Sequence, residues 1–164
     1  MQNTARIQTL SPADSRTYAI TSLFVAGNII LPYLCHMIPD GGKMFLPIFF
    51  FTLVGAYRYG MTVGLATAVL SPIMNSLLTG RPDGSMLPPM LVQSVMLAVA
   101  AVAHRARRVS TALIAAVVIA CQMAGLIIER LMTSPATTLA EAFLTAIPGM
   151  LIQILAGTYL IRKL

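Results

Sequence analysis

Charged side chains are so sparse that they divide the chain into long uncharged stretches, at 17–39, 44–57, 59–80, 84–104, 109–128 and 142–161. A membrane-crossing helix needs about 20 mainly apolar residues, and five of the six stretches supply them. The stretch 44–57 has only fourteen residues, a length at which a re-entrant or interfacial segment competes with a full span. It can still cross if Lys43 and Arg58 reach toward opposite interfaces while Tyr57 and Tyr59 settle at headgroup level. The pattern therefore predicts an all-α integral membrane protein, a bundle of six transmembrane helices at about 17–35, 44–58, 60–79, 86–103, 109–129 and 139–161. These form a single membrane domain over 1–164. Helices two and three are separated by little more than Arg58, Tyr59 and Gly60, so they are antiparallel neighbours.

Composition agrees with this reading and closes off others. Of the 164 residues, 57% are hydrophobic and 10% charged, and mean hydropathy is +0.83. A soluble domain needs roughly a quarter of its residues charged, so a soluble globule and a disordered chain are both excluded. The net charge of +6 would suggest nucleic acid only if the basic residues clustered on one face with aromatics, and here they are spread between apolar runs. Their distribution reads instead as topology. With six crossings, Arg6, Arg16, Arg58, Arg105, Arg107, Arg108, Arg162 and Lys163 share one side, and Lys43, Arg81 and Arg130 share the other. Five crossings divide them less unevenly. The positive-inside rule thus favours six helices with both termini cytoplasmic. The N-terminal stretch is polar and mixed and lacks the pattern of a signal peptide. Cys35 and Cys121 lie inside apolar runs without CxxC spacing, as small packing residues rather than a disulfide or zinc framework.

Polar residues inside a span are costly, so their depth is informative. In this topology Asn75, Gln93 and Gln122 fall in the outer parts of helices three, four and five, and Glu129, Arg130 and Glu141 lie at the outer ends of helices five and six. Only Gln153 falls near or below the midplane. Interhelical hydrogen bonds could account for each residue singly, but the shared depth predicts a pocket opening to the outside. Gly149 and Gly157 flank Gln153 on one face, which suits close helix packing. Small residues also recur at four-residue spacing as Ser22 and Ala26, as Gly60, Gly64 and Ala68, and as Ala112, Ala116, Ala120 and Ala124. The last two stripes are expected to pack inside the bundle, whereas the first could equally meet a partner protein.

Enzymatic signatures are missing. The sequence has no HExxH, GxSxG or CxxC, and GRPDGS at 80–85 lacks the GK[ST] ending of a phosphate-binding loop. His36 and His104 are expected on opposite sides of the membrane. No catalytic residue, metal site or cofactor is assigned.

The stretch HMIPDGGKMFLPIFFFTLVGAYRYGMTVGLATAVLSPIMNSLLTGRPDGSMLPPM resembles the substrate-binding S components of energy-coupling-factor (ECF) vitamin transporters. The likeness is carried by the loop His36 to Lys43, Leu46-Pro47, Tyr59-Gly60 with Gly64, Ser71-Pro72, and Thr79 to Pro82 followed by Leu87 to Met90. It covers about a third of the chain. The resemblance implies a six-helix protein of the bacterial cell membrane that binds a small water-soluble vitamin or cofactor precursor in an outward-facing pocket, under a lid between helices one and two. A transmembrane coupling subunit and two ATPase subunits would complete the transporter, so any ATP hydrolysis would reside in those partners. Small residues on helix one commonly meet the coupling subunit in this family; here the match is Ser22 and Ala26, where Ala-xxx-Ala is usual. Within the region so indicated, the candidate substrate-binding residues are His36, Asp40, Lys43, Asn75, Arg81, Gln93, Gln122, Glu129 and Arg130. Their mixed signs suggest a polar or zwitterionic ligand, with Arg81, Arg130 or Lys43 meeting a carboxylate or phosphate. The alternatives are a structural subunit resembling rod-shape-determining membrane proteins, or a stand-alone facilitator. The first tends to carry an acidic residue where this chain has Asn75, and the second needs a polar stripe reaching both membrane faces.

Overall fold

The computed structural model describes residues 8–39, 41–105 and 109–164, without the side chain of Lys43. Asp40, Arg6, Arg107 and Arg108 lie outside the described residues. Every regular element among them is helical: α1 (Ser15–Cys35), α2 (Gly41–Phe45), a 3-10 turn (Pro47–Phe49), α3 (Phe50–Tyr59), α4 (Met61–Thr79), α5 (Leu87–His104), α6 (Thr111–Thr133) and α7 (Leu139–Lys163). Five of them, α1 and α4 to α7, are long and apolar enough to cross a membrane.

The expected second span is the exception. In place of one helix over 44–58, the chain forms a five-residue helix, a 3-10 turn and the ten residues of α3. At 1.5 Å per residue α3 is about 15 Å long, half the hydrocarbon thickness. It is also enclosed: Thr52, Leu53, Val54 and Ala56 are fully buried, and Tyr57 and Arg58 nearly so. A helix that is apolar on all sides belongs in a core, and α3 is that core, packed on by α1, α4, α5 and α7. The break has a visible cause. Leu46 takes a left-handed conformation (φ 49°) immediately before Pro47, and the chain changes direction there before α3 begins.

Small residues decide how closely the neighbours approach. A Cβ on Gly64 of α4 would lie 2.6 Å from the Ala56 Cβ and 2.7 Å from its Cα, so α3 and α4 touch backbone to backbone. On α7, a Cβ on Gly149 would lie 2.5 Å from the backbone carbon and oxygen of Phe45, and one on Gly157 would lie 3.3 Å from the Leu53 side chain. Between these glycines Gln153 is buried and donates from Nε2 to the Leu46 carbonyl (3.2 Å). Gln153 and its glycines therefore serve close packing, as their spacing suggested. The α6 stripe does not. Ala112, Ala116 and Ala120 are exposed, while Ile114, Val117, Val118, Cys121, Gln122 and Gly125 face inward. Apolar residues surround α6 on every side, so spacing alone could not tell its inner face from its outer one.

At one end of the bundle the N-terminal segment crosses the α3–α4 turn, with Gln8 N donating to Arg58 O (3.2 Å) and Leu10 N to Tyr59 O (3.2 Å). Arg58 Nη2 donates to the Leu164 carbonyl, and Arg105 Nη2 donates to Gln8 O and Thr9 Oγ1 (both 3.0 Å). The turn itself depends on Gly60, whose φ of +95° suits glycine and whose open face receives the Arg105 guanidinium. Both described ends of the chain thus lie together. The α1–α2, α4–α5 and α6–α7 connections lie at the opposite end.

Candidate functional site

Because α3 fills only half the length of the bundle, the other half encloses a cavity of about 790 Å³, whose floor is Leu46 and the turn Pro47–Phe49. This is within the usual range for small-molecule sites. Its walls come from the ends of α1, α4, α5, α6 and α7 and from their connecting loops.

One wall rests on a buried polar network. Pro32 has no N–H, so it leaves the carbonyl of Asn28 without its helical partner. The Asn75 amide fills that gap, Nδ2 donating to Asn28 O at 3.0 Å. Asn28 is completely buried; its Nδ2 donates to Ser71 Oγ (3.0 Å) and Thr52 Oγ1 (3.3 Å), and its Oδ1 accepts from Phe51 N (3.2 Å). In the hydrocarbon region every such group needs an internal partner, and this set ties α1, α3 and α4 together beneath the cavity. Asn75, itself 2% exposed, borders the cavity at the edge of the network.

The facing wall carries a second amide pair. Gln93 Nε2 donates to Gln122 Oε1 at 2.8 Å, joining α5 to α6, and both residues border the cavity. Gly125 makes the pair possible, since a Cβ there would lie 2.3 Å from the Gln93 Cδ.

The mouth is ringed by charge. Arg81, Asp83, Glu129 and Glu141 border it, with exposed His36, whose Nδ1 lies 2.5 Å from the Pro32 carbonyl. Asp83 Oδ1 accepts from Ser85 Oγ (2.7 Å), Met86 N (2.9 Å) and Ser85 N (3.1 Å). The Ser85 hydroxyl, then the Met86 amide, hold its carboxyl below the ordinary carboxylate range. At the start of α7, Thr138 N donates to Glu141 Oε2 (2.8 Å) and Glu141 N to Thr138 Oγ1 (3.2 Å), a reciprocal capping box.

Of the nine candidate residues, the fold gathers His36, Asn75, Arg81, Gln93, Gln122 and Glu129 around one space. Arg130 is not among them: its Nη1 donates to Thr137 O (2.8 Å), stapling the α6–α7 loop, whose Pro135, Ala136 and Thr137 border the cavity while Arg130 does not. Asp40 and the Lys43 side chain lie outside the described residues, although the backbone of Gly41 and Gly42 beside them borders the cavity. Ser22 and Ala26 are exposed on α1, away from the network around Asn28.

Asn28 and Asp83 were not among the candidate residues, and Glu141 was placed at the outer end of its helix without being counted among them. Signals for all three were present: Pro32 four residues after Asn28, the DGS turn at 83–85, and the T-x-x-E capping pattern at 138–141. The apolar lining from Met86, Met90 and Leu126 had no such signal in a chain so rich in apolar residues. Among the described residues no three His, Cys, Asp or Glu side chains come together to hold a metal. No family model, curated protein or solved structure matches the chain.

Proposed function

We propose that this protein is the substrate-binding S component of an ECF-type transporter, holding a small water-soluble vitamin or cofactor precursor in the cavity above α3. The observation that carries the reading is the cavity itself. A small membrane protein leaves half of its bundle open at one end and lines that space with paired amides, while the other end is filled and crossed by its N-terminal segment. Such a site is closed to through-passage by the Leu53 and Val54 core, which suits a binding subunit better than a self-sufficient channel. In this reading the cavity faces outward, the termini are cytoplasmic, and the membrane is the bacterial cell membrane. Arg58, Arg105, Arg162 and Lys163 then lie on the inner side. A coupling subunit meets the exposed face of α1 at Ser22 and Ala26, and two ATPases supply the energy.

The test is to purify the protein from its native membrane and identify co-purifying small molecules and proteins by mass spectrometry. A bound vitamin-sized compound together with a membrane subunit and ATPases is the expected result. Recovery of cell-wall or cytoskeletal partners alone, with no ligand and no thermal protection by a vitamin panel, would overturn it.

A further inference from the structure

We propose that the end of the bundle where the described termini meet docks anionic phospholipid headgroups, held by Arg16, Arg162 and Lys163 at the ends of α1 and α7. These cations have no carboxylate to answer them. The chain holds five acidic residues, and Asp14 is the one at this end, committed to the α1 cap through Arg16 N (2.9 Å). Asp83, Glu129 and Glu141 border the cavity at the opposite end, and Asp40 stands in the sequence between Pro39 and Gly41, which border it too. The undescribed stretches 1–7 and 106–108 contain no Asp or Glu. Two arginines at this end are buried, Arg58 donating to the Leu164 carbonyl and Arg105 to Gln8 O and Thr9 Oγ1. Arg16, Arg162 and Lys163 are exposed. Arg162 Nη2 reaches the neutral oxygens Val109 O (3.3 Å) and Thr111 Oγ1 (3.4 Å) at the start of α6, and Lys163 Nζ stands 5.4 Å from the centre of the Tyr159 ring.

Their surroundings place them at a bilayer surface. Tyr18 and Tyr159 are exposed close to them in α1 and α7, and further along the same helices the exposed residues turn apolar, with Leu23 and Ile30 on α1 and Leu151 and Leu155 on α7. Exposed tyrosine between an apolar skirt and a cation is the pattern of a membrane–water interface. The guanidinium and ammonium groups therefore stand at the level of lipid phosphates, whose oxygens accept from both. The class of headgroup follows from charge. A zwitterionic headgroup brings its own ammonium among three cations that already lack a carboxylate, whereas an anionic one brings the missing negative charge. No cavity residue takes part.

Thermal unfolding of the full-length protein can be compared in nanodiscs of phosphatidylcholine and in nanodiscs that also contain phosphatidylglycerol, with native mass spectrometry counting the lipids of each kind that stay bound. The wild type should melt higher with phosphatidylglycerol and retain it in preference, and the preference should fade as salt rises. Each basic residue near an anionic surface strengthens binding by about fivefold. Lys163→Gln alone, whose ammonium faces the Tyr159 ring, should therefore cut the preference about fivefold, and Arg162→Gln with Lys163→Gln by about tenfold or more. Both should leave the melting temperature in phosphatidylcholine in place. Arg130→Gln, at the opposite end of the bundle, should leave the preference unchanged. Equal retention of the two lipids by the wild type, a preference that survives in both variants, or an equal loss in Arg130→Gln would overturn the assignment. So would polyglutamate that protects in phosphatidylcholine nanodiscs as well as phosphatidylglycerol does, which would make this end a seat for an acidic protein segment. Any of these results leaves the ligand reading of the cavity standing.

Discussion

The two halves of this bundle are built from the same five long helices but solve opposite problems. Toward the termini α3 supplies a solid apolar plug, Leu53, Val54, Ala56 and Tyr57, against which the neighbours close by way of Gly64 and Gly157. Toward the three connecting loops the plug is absent, and the helices meet through amides: Asn75 on the Asn28 carbonyl and Gln93 on Gln122. Stability is concentrated where the core is filled, and chemistry where it is not. Polar pairs can stand in for packing because a hydrogen bond fixes two helices at a set separation without filling the space beside them.

The sharpest way to break this contrast is by truncation in each half. Leu53→Ala should lower unfolding stability by about 2–5 kcal/mol, as expected for a fully buried leucine. Met90→Ala, at the cavity wall, should cost less than about 1 kcal/mol. Thermal unfolding of the purified protein measures both, and equal losses would mean that the halves are not differently packed. Next in size, Asn75→Ala leaves the Asn28 carbonyl without a donor, so a loss of about 1–3 kcal/mol is expected. Hydrogen exchange should show it as faster opening around Pro32.

Smaller in stability but telling for the site, Gly125→Ala would displace the Gln93 side chain and break its bond to Gln122. The expected cost is on the order of 0.6 kcal/mol, with a larger loss of ligand affinity if the pair shapes the wall. Arg130→Ala separates the residues at the end of α6. Removing a staple on Thr137 should loosen the loop, seen as faster proteolysis at 134–138, and should change ligand affinity less than Glu129→Ala does. The smallest effect is the pH response of Asp83. Its folded pKa lies below its unfolded value. Its contribution is therefore complete above the unfolded value of about 3.9 and is lost as pH falls through the lower folded one. In Asp83→Asn that part of the acid response should be missing from a pH series of melting temperatures.

Much of the cavity was legible from depth alone. Asn75, Gln93 and Gln122 stand in the outer parts of three helices, with Glu129 two turns further out on α6, and parallel or antiparallel packing brings residues at matching depth around one space. Arg130 shows where that logic stops, since it shares the height of Glu129 but points one helical position further round, into its own loop. The outward face of α6 was illegible for a related reason. In lipid both faces of a helix are apolar, so Ala112, Ala116 and Ala120 carry no amphipathic mark of the side to which they belong.

Charge spacing and hydropathy were enough to determine a helical chain suited to a membrane, with five helices long and apolar enough to cross it and one short apolar segment between Lys43 and Arg58. These are local properties, set by how many apolar residues stand in a row. Whether that short segment crosses was a tertiary question. Its fourteen residues could have stretched across the bilayer, but a left-handed Leu46, Pro47 and the backbone seat at Gly149 bend it inward, and its apolar circumference finds a core instead of lipid. The cavity follows from that decision, because a core helix half the length of its neighbours leaves the other half of the bundle unfilled.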